Sequence, residues 1–233
     1  FNSRPVDIGP RMADITNDSW RLVAGAKGSI LDRWNWDIYY SYDNDKVVDQ
    51  TKNAVSESRL RAALAKNTPD ALNIFGGANY KNPSSVLDTI RVTTQKGGYS
   101  TQDLWHAQVS GDLAKLPTGT LGTALLVEAR KEKFGEANDA ISTTLDDIIG
   151  QVKLANSTDA RRTVKSVAVE FNAPLVKADS MKFVRRLELT AAGRFEDFSD
   201  GYNSGVKPYY GVRYQPVRSL VLRATYNEAF RSP

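Results

Sequence analysis

Apolar and polar residues alternate in several stretches of this chain, the pattern of a β-strand whose two faces meet different surroundings. The clearest stretch is 33–43. One of its faces carries the large side chains of Trp34, Trp36, Ile38, Tyr40 and Tyr42, and the alternate positions carry Asn35, Asp37, Tyr39, Ser41 and Asp43. A helix would scatter both sets around its circumference. The stretch is therefore predicted to be a strand.

The same alternation recurs in the second half of the chain. It predicts strands at 120–134, 167–175, 185–197, 205–216 and 220–231. Two further stretches, 20–30 and 107–116, alternate less regularly because small residues interrupt them, and we predict strands there too. The chain is thus expected to be all-β, with roughly eight or nine antiparallel strands separated by turns and loops.

The connections between these strands alternate in length. Short connections are predicted at 31–33, 117–119 and 216–218, and long loops at 44–104 and 135–160. Short turns on one side and long loops on the other are typical of outer-membrane β-barrels. A soluble antiparallel sheet packed on one face would give the same alternation within each strand.

Both long loops are expected to contain helix. In the first loop, Leu60, Ala63 and Leu64 have the spacing of an amphipathic turn, and Thr68-Pro69-Asp70 resembles a helix start, with a capping residue before proline. In the second loop, Thr143–Val152 is predicted to be helical. Asp146 and Asp147 would lie on the polar face of that helix, since no oxygen-rich calcium-binding pattern surrounds them.

Composition narrows the class of protein. The chain has 233 residues, of which 41% are hydrophobic and 25% charged, as in folded proteins. It lacks a run of roughly 18 apolar residues that could form a spanning helix, whereas a barrel strand needs only about 9–11 residues. The net charge of +4 is mild and the signs are interspersed, so we expect no nucleic-acid partner.

The residues that catalysis would need are scarce. The chain has no cysteine and a single histidine. It shows no nucleophile–base arrangement, no metal-ligand spacing and no Gly-rich phosphate loop. We therefore expect a protein that is not an enzyme and that uses no cofactor or catalytic metal.

The run Arg185–Pro233 carries several motifs in order. They are Arg194 before Phe198-Ser199-Asp200-Gly201, then Lys207-Pro208, Tyr214-Gln215-Pro216, Leu222-Arg223-Ala224 and the closing Ala229-Phe230-Arg231-Ser232-Pro233. This run closely resembles the central barrel of TonB-dependent outer-membrane receptors. One departure is Gln215, where such receptors usually have Arg.

Earlier pieces of the chain are similar to the same family. They are Trp34-Asn35-Trp36-Asp37, Ser110-Gly111-Asp112-Leu113, Leu116-Pro117-Thr118-Gly119, Glu128-Ala129-Arg130-Lys131-Glu132 and Val169–Leu175. The resemblance covers nearly the whole chain and is weakest in the two long loops.

The resemblance implies that residues 1–233 are an internal segment of a transmembrane β-barrel of about 22 strands in the outer membrane of a Gram-negative bacterium. We expect the chain to be a fragment without the plug domain and the barrel-closing C-terminal strands, since it starts at Phe1 without a signal peptide. The implied function is TonB-dependent uptake of a siderophore, vitamin, haem or oligosaccharide. The implied partners are TonB, through a box in the missing N-terminal region, the plug, and outer-membrane lipid.

Each face of the strands has an expected role in such a barrel. The apolar positions expected to contact lipid are Val167, Val169, Phe171, Leu187, Leu189, Leu220 and Leu222. The charged positions expected to line the lumen and contact the plug are Glu128, Arg130, Glu170, Glu188, Arg194, Arg213 and Arg223. The alternatives are an ordinary sheet core for the first set and a solvated face for the second.

Substrate capture is expected in the first long loop, because long loops carry function. The candidate residues are Asn79, Tyr80, Tyr99, Trp105 and His106, although an interface or loop position is the favoured interpretation of His106. The sequence does not single out a substrate. Two other classes of protein stay open as alternatives, a passive porin without a plug and a soluble carbohydrate-binding β domain.

Overall fold

A computed structural model describes residues 6–77, 79–176 and 182–231 of the chain. Ser232 and Pro233, which end the closing motif, lie outside the described residues. Eight strands form one sheet in sequence order, β1 to β8. Their bounds are Met12–Ile30, Trp34–Val55, Arg91–Leu116, Gly119–Asn138, Thr158–Pro174, Arg186–Phe198, Lys207–Val217 and Leu220–Asn227. The predicted all-β antiparallel architecture is confirmed.

Contacts divide the chain into two compact units. The first comprises Phe1–Trp20, Asn44–Ser100 and Phe134–Ala160, and the second Arg21–Asp43, Thr101–Lys133 and Arg161–Pro233. The second unit contains three short connections, which join β1 to β2, β3 to β4 and β7 to β8. It also contains the strand ends that flank them. The long connections between β2 and β3 and between β4 and β5 fall in the first unit.

The first four strands are much longer than the alternation predicts. β2 has 22 residues and β3 has 26, so the long loop predicted at 44–104 shrinks to 56–90. The second long loop likewise shrinks from 135–160 to 139–157. Residues 44–53 and 91–104 are mostly polar and therefore show no regular alternation. Backbone pairing and side-chain contacts such as Lys96–Asp49, at 3.1 Å, extend the strands there without an apolar face.

The loop between β2 and β3 builds a small apolar core together with Ile8, before β1, and Val55, at the end of β2. It contains the helices α1, Glu57–Leu64, and α2, Ser84–Ile90. The buried residues of this core are Ile8, Val55, Ala63, Val86, Leu87 and Ile90, with Leu60 and Leu72 packed against them. The helical turn predicted from Leu60, Ala63 and Leu64 is thus confirmed, whereas α2 was not predicted. Neither α-helix in the described ranges is long and apolar enough to cross a membrane.

Two predicted helices are wrong. Thr68-Pro69-Asp70 forms a turn, in which the Ala71 N–H donates to the Thr68 carbonyl at 2.9 Å and Lys66 pairs with Asp70 at 2.6 Å. Thr143–Val152 forms turns instead of a helix. Asp146 and Gly150 have positive φ angles of 49° and 69°, which a right-handed helix does not contain.

Asp147 lies in this turn region and holds α1 in place instead of belonging to a helix itself. Its carboxylate accepts hydrogen bonds from the Ser58 N–H at 2.7 Å and from the Ser58 hydroxyl at 2.8 Å, and also from the hydroxyl of Ser56. Ser56 is the N-cap of α1 and accepts from the Arg59 N–H at 3.3 Å. The side chains of Asp147 and Ser56 therefore accept hydrogen bonds from two of the N–H groups at the start of α1 that have no partner within the helix.

Replacing Asp147 with Asn should loosen α1. The hydrogen bond from Ser56 is the largest cause that lowers the pKa of Asp147 below its usual 3.8. The carboxylate is therefore charged at neutral pH, and its stabilisation is lost only as the pH falls through that lowered value. Asparagine keeps one acceptor oxygen but loses the second and the charge, so we expect Asp147→Asn to weaken the start of α1 by about 1 kcal/mol. Hydrogen exchange at residues 57–65 of the full-length receptor at pH 7 measures this loss of protection.

Asp146→Asn is the matched control, because the Asp146 side chain is exposed and asparagine tolerates a positive φ. Its exchange at 57–65 should match that of the unmodified protein. Equal protection of α1 in the two variants would show that the Asp147 carboxylate does not hold the helix.

Candidate functional site

The strand register in the second unit sorts charged residues onto one face of the sheet. Glu188 of β6 pairs with Pro174 of β5 on one side and with Arg213 of β7 on the other, and Arg213 pairs with Arg223 of β8. Paired residues of an antiparallel sheet point to the same face. Glu170 and Arg194 lie at even positions of β5 and β6, like Pro174 and Glu188, and so share this face, which we call the charged face.

Glu128 of β4 is the centre of a connected group on the charged face. Its carboxylate lies 3.0 Å from His106 Nδ1 on β3 and 3.2 Å from the Arg194 guanidinium on β6. Arg194 also pairs with Glu196 at 2.7 Å, and Glu196 accepts from the Ser166 hydroxyl of β5 at 3.0 Å. Side chains from four consecutive strands, β3 to β6, are thereby linked into one polar network.

Two more groups of ion pairs continue the charged face. Arg130 Nε lies 2.7 Å from Glu132, whose other carboxylate oxygen accepts from Arg162 of β5. Arg213 lies 3.3 Å from Glu188. Five of the seven charged candidates, Glu128, Arg130, Glu188, Arg194 and Arg213, therefore make ion pairs on this face, while Glu170 and Arg223 are placed on it by register.

His106 lies within β3, so of the two positions expected for it, interface or loop, the loop is wrong. Its ring stacks on Tyr39 of β2, with centroids 4.3 Å apart. The ring is bounded by Glu128 and, at 3.6 Å, by the carboxylate of Asp37. With 11% of its side chain exposed, His106 is one of the most enclosed members of the charged face. Its contacts are those of a structural member of the network.

The other ligand-loop candidates are divided between strand and loop. Tyr99 and Trp105 lie in β3, so their assignment to a loop is also wrong. Trp105 is 60% exposed and packs against Tyr40, with ring centroids 4.8 Å apart. Asn79 and Tyr80 do lie in the loop between α1 and α2, and both are exposed. The structure thus does not bring the five candidates together into one site.

The opposite face of β5–β8, which we call the apolar face, carries the residues predicted to contact lipid. Val167 pairs with Phe195, and Leu189 pairs with Ala173 and Val212. Most of this set is exposed: Val167, Val169, Phe171, Leu189, Leu220 and Leu222. Leu187 is half-buried and lies opposite Tyr214. The face ends in the stacked pair Tyr210 and Tyr226, whose centroids are 6.4 Å apart.

The charged face reaches the short connections of the second unit, where an open pocket of about 730 Å³ lies. Arg186, Glu188 and Gln215 line it, together with Asp112 and Asn172. Gln215, the position at which the chain departs from the receptor motif, donates from Nε2 to the Arg218 carbonyl at 3.3 Å. The pocket is therefore lined by positive, negative and amide side chains.

Several members of the charged face were not among the candidates. They are Asp37, Glu132, Arg162, Ser166 and Glu196. All but Asp37 have the same parity as a candidate on their own strand, so the alternation alone would have found them. Asp37 lies on β2, which carries no candidate, and only the pairing of β2 with β3 places it. Within the described ranges, the His, Asp and Glu side chains form no group of three or more that is arranged to hold a metal ion.

Comparison with known families identifies the chain's relatives. The family model "TonB dependent receptor-like, beta-barrel" matches residues 2–233. A search of curated proteins gives no match. Members of the matched family are outer-membrane transporters and not enzymes. The match covers nearly the whole chain and agrees with the meandering antiparallel sheet and its two contrasting faces. This chain therefore belongs to the TonB-dependent receptor-like β-barrel family.

Proposed function

We propose that this chain forms part of the wall of an outer-membrane barrel through which a Gram-negative bacterium actively takes up a scarce nutrient. In this proposal residues 1–233 contribute strands and outer loops, and a plug domain elsewhere in the polypeptide fills the lumen. TonB would bind to the plug side of the receptor and supply the energy. The nutrient would be a siderophore, vitamin, haem or oligosaccharide.

The observation that carries the proposal is the unusual exposure of the two faces of the second unit. On the apolar face Leu222 is 51% exposed and Val167 is 46% exposed. On the charged face the side chains of Glu128 and His106 are only 17% and 11% exposed. A soluble sheet buries its apolar face and leaves its charges to water. An apolar face left this exposed, opposite a face that carries the charges, supports lipid on one side and a polar lumen on the other.

The charged face also suits contact with a folded plug better than an empty channel. Many of its charged side chains pair with one another across four strands, as in the link from His106 through Glu128 to Arg194. The open pocket lined by Arg186, Glu188 and Gln215 adds side chains of both signs. Such a surface can make specific polar contacts with a second domain, and barrels of about 22 strands hold a plug in the lumen.

Substitutions at two adjacent positions of β6 distinguish the two faces by stability. Leu189 lies on the apolar face and Thr190 on the charged face. We expect Leu189→Arg to lower the free energy of unfolding of the full-length receptor by about 2–4 kcal/mol near the bilayer midplane. Thr190→Arg should cost far less, because arginine can reach water in the lumen. Unfolding in urea from lipid vesicles measures both, and equal losses would contradict the proposed facing.

Energised uptake is tested by growth of the source bacterium under nutrient limitation. The parent strain, a strain lacking this receptor and a strain lacking TonB are grown with limiting iron, limiting cobalamin or a series of sole carbon sources. We expect one limitation to slow both deletion strains, and the receptor gene on a plasmid to restore only the receptor mutant.

A passive porin would give a different result. The receptor mutant would then grow slowly under some limitation that leaves the TonB mutant unaffected. A soluble sugar-binding domain would appear in the aqueous fraction of lysed cells instead of the outer membrane. Either finding would overturn the proposed function.

A further inference from the structure

A pocket of about 480 Å³ lies in the first unit. Its polar lining includes Arg11 just before β1, Asp49 of β2, Lys96 of β3 and Ser142 of the loop between β4 and β5, beside threonine and glutamine side chains. Ala13, Val152 and Leu154 supply apolar wall. Its volume lies within the range of small-molecule sites, roughly 300–1,000 Å³.

Two buried polar atoms of this pocket have no partner. Asp49 Oδ2 pairs with Lys96 at 3.1 Å, but Asp49 Oδ1 is buried without a hydrogen bond. Ser142 is 3% exposed and its hydroxyl is also unpartnered. Among the described residues only four side-chain atoms are in this condition, and the other two belong to Arg91 and Arg213. Buried polar groups are normally hydrogen-bonded, so two such atoms in one pocket point to a ligand that supplies the partners.

The two unpartnered atoms define which polar groups the ligand must carry. A carboxylate oxygen can only accept, so the partner of Asp49 Oδ1 must be an O–H or N–H donor. The Ser142 hydroxyl can donate or accept. A ligand that bears several hydroxyl groups satisfies both atoms at once.

The cationic side chains of the pocket define the charge of the ligand. Lys96 is neutralised by Asp49, whereas the Arg11 guanidinium donates to a neutral group, the Ile149 carbonyl. The charged lining residues Arg11, Lys96 and Asp49 therefore leave one positive charge in excess. Arginine favours carboxylates because its planar donors match their geometry. The pocket is thus suited to a ligand with one carboxylate beside its hydroxyl groups.

We propose that this pocket binds a hydroxylated carboxylate, of the class to which sugar acids belong, with Arg11 holding the carboxylate and Asp49 and Ser142 binding the hydroxyls. The inference rests on the proposed function in one respect: among the nutrients proposed above, an oligosaccharide built from sugar acids carries both of these groups. The apolar wall would contact the carbon skeleton of the ligand.

Three six-carbon probes distinguish binding of the carboxylate from binding of the hydroxyl groups. Gluconate carries both the carboxylate and the hydroxyls, sorbitol carries only hydroxyls, and hexanoate carries only the carboxylate. Calorimetric titration of the full-length receptor in detergent should show binding of gluconate. Sorbitol, which lacks the carboxylate, and hexanoate, which lacks the hydroxyls, should each bind at least about tenfold more weakly. Equal affinity for all three, or no binding of gluconate, would overturn the proposal.

Substitutions then place the binding in this pocket. Arg11→Gln and Ser142→Ala should each weaken gluconate binding about tenfold or more. Lys52→Gln is the matched control, because Lys52 is a cation of the same unit that pairs with Asp14 at 3.3 Å and does not line the pocket. Circular dichroism checks that each variant folds. Gluconate binding that Arg11→Gln leaves unchanged would place the ligand elsewhere and overturn the proposal.

The two proposals fail in different ways. If gluconate does not bind but the receptor and TonB deletions slow growth under the same limitation, the pocket assignment falls and energised uptake stands. If gluconate binds as expected but the two deletions never share a growth defect, energised uptake falls and the pocket assignment stands.

Discussion

The antiparallel register of the sheet is the constraint on which the remaining features depend. Side chains alternate between faces with a period of two, so a shift of one residue would exchange every apolar and charged position of a strand. The observed register places Glu188 between Pro174 and Arg213, and its neighbour Leu189 between Ala173 and Val212. This single arrangement keeps one face apolar and the other charged across β5–β8.

Charges crowded on one face are stable only when they have partners, because an unpaired, partly desolvated charge is costly. The network centred on Glu128 meets this requirement by joining residues of opposite sign from neighbouring strands, as with His106 and Arg194. The charged face is thereby held together by polar contacts in place of an apolar core. A barrel wall needs this property, since its apolar side chains are turned outward and cannot pack inside.

Much of this could be predicted from the sequence, because alternation reports directly on a sheet with two different faces. It found all eight strands and the parity of the charged positions. It failed where the strands are mostly polar, as at residues 44–53 and 91–104, and therefore placed Tyr99 in a loop instead of in β3. It also failed to predict the role of Asp147, whose partners Ser56 and Ser58 lie 91 and 89 residues away in the sequence. Contacts between distant segments, including those that form the pocket at Ser142, leave no local pattern.

The most direct test of this account asks which face meets lipid. The chain has no cysteine, so single spin labels can be attached through Leu189→Cys and Thr190→Cys in a full-length receptor without other cysteines. In lipid vesicles the label at 189 should collide mainly with oxygen, which concentrates in the bilayer. The label at 190 should collide mainly with a water-soluble nickel complex or be shielded from both reagents. Oxygen access at 190 with nickel access at 189 would contradict the assignment of the two faces, and with it the barrel wall proposed for this chain.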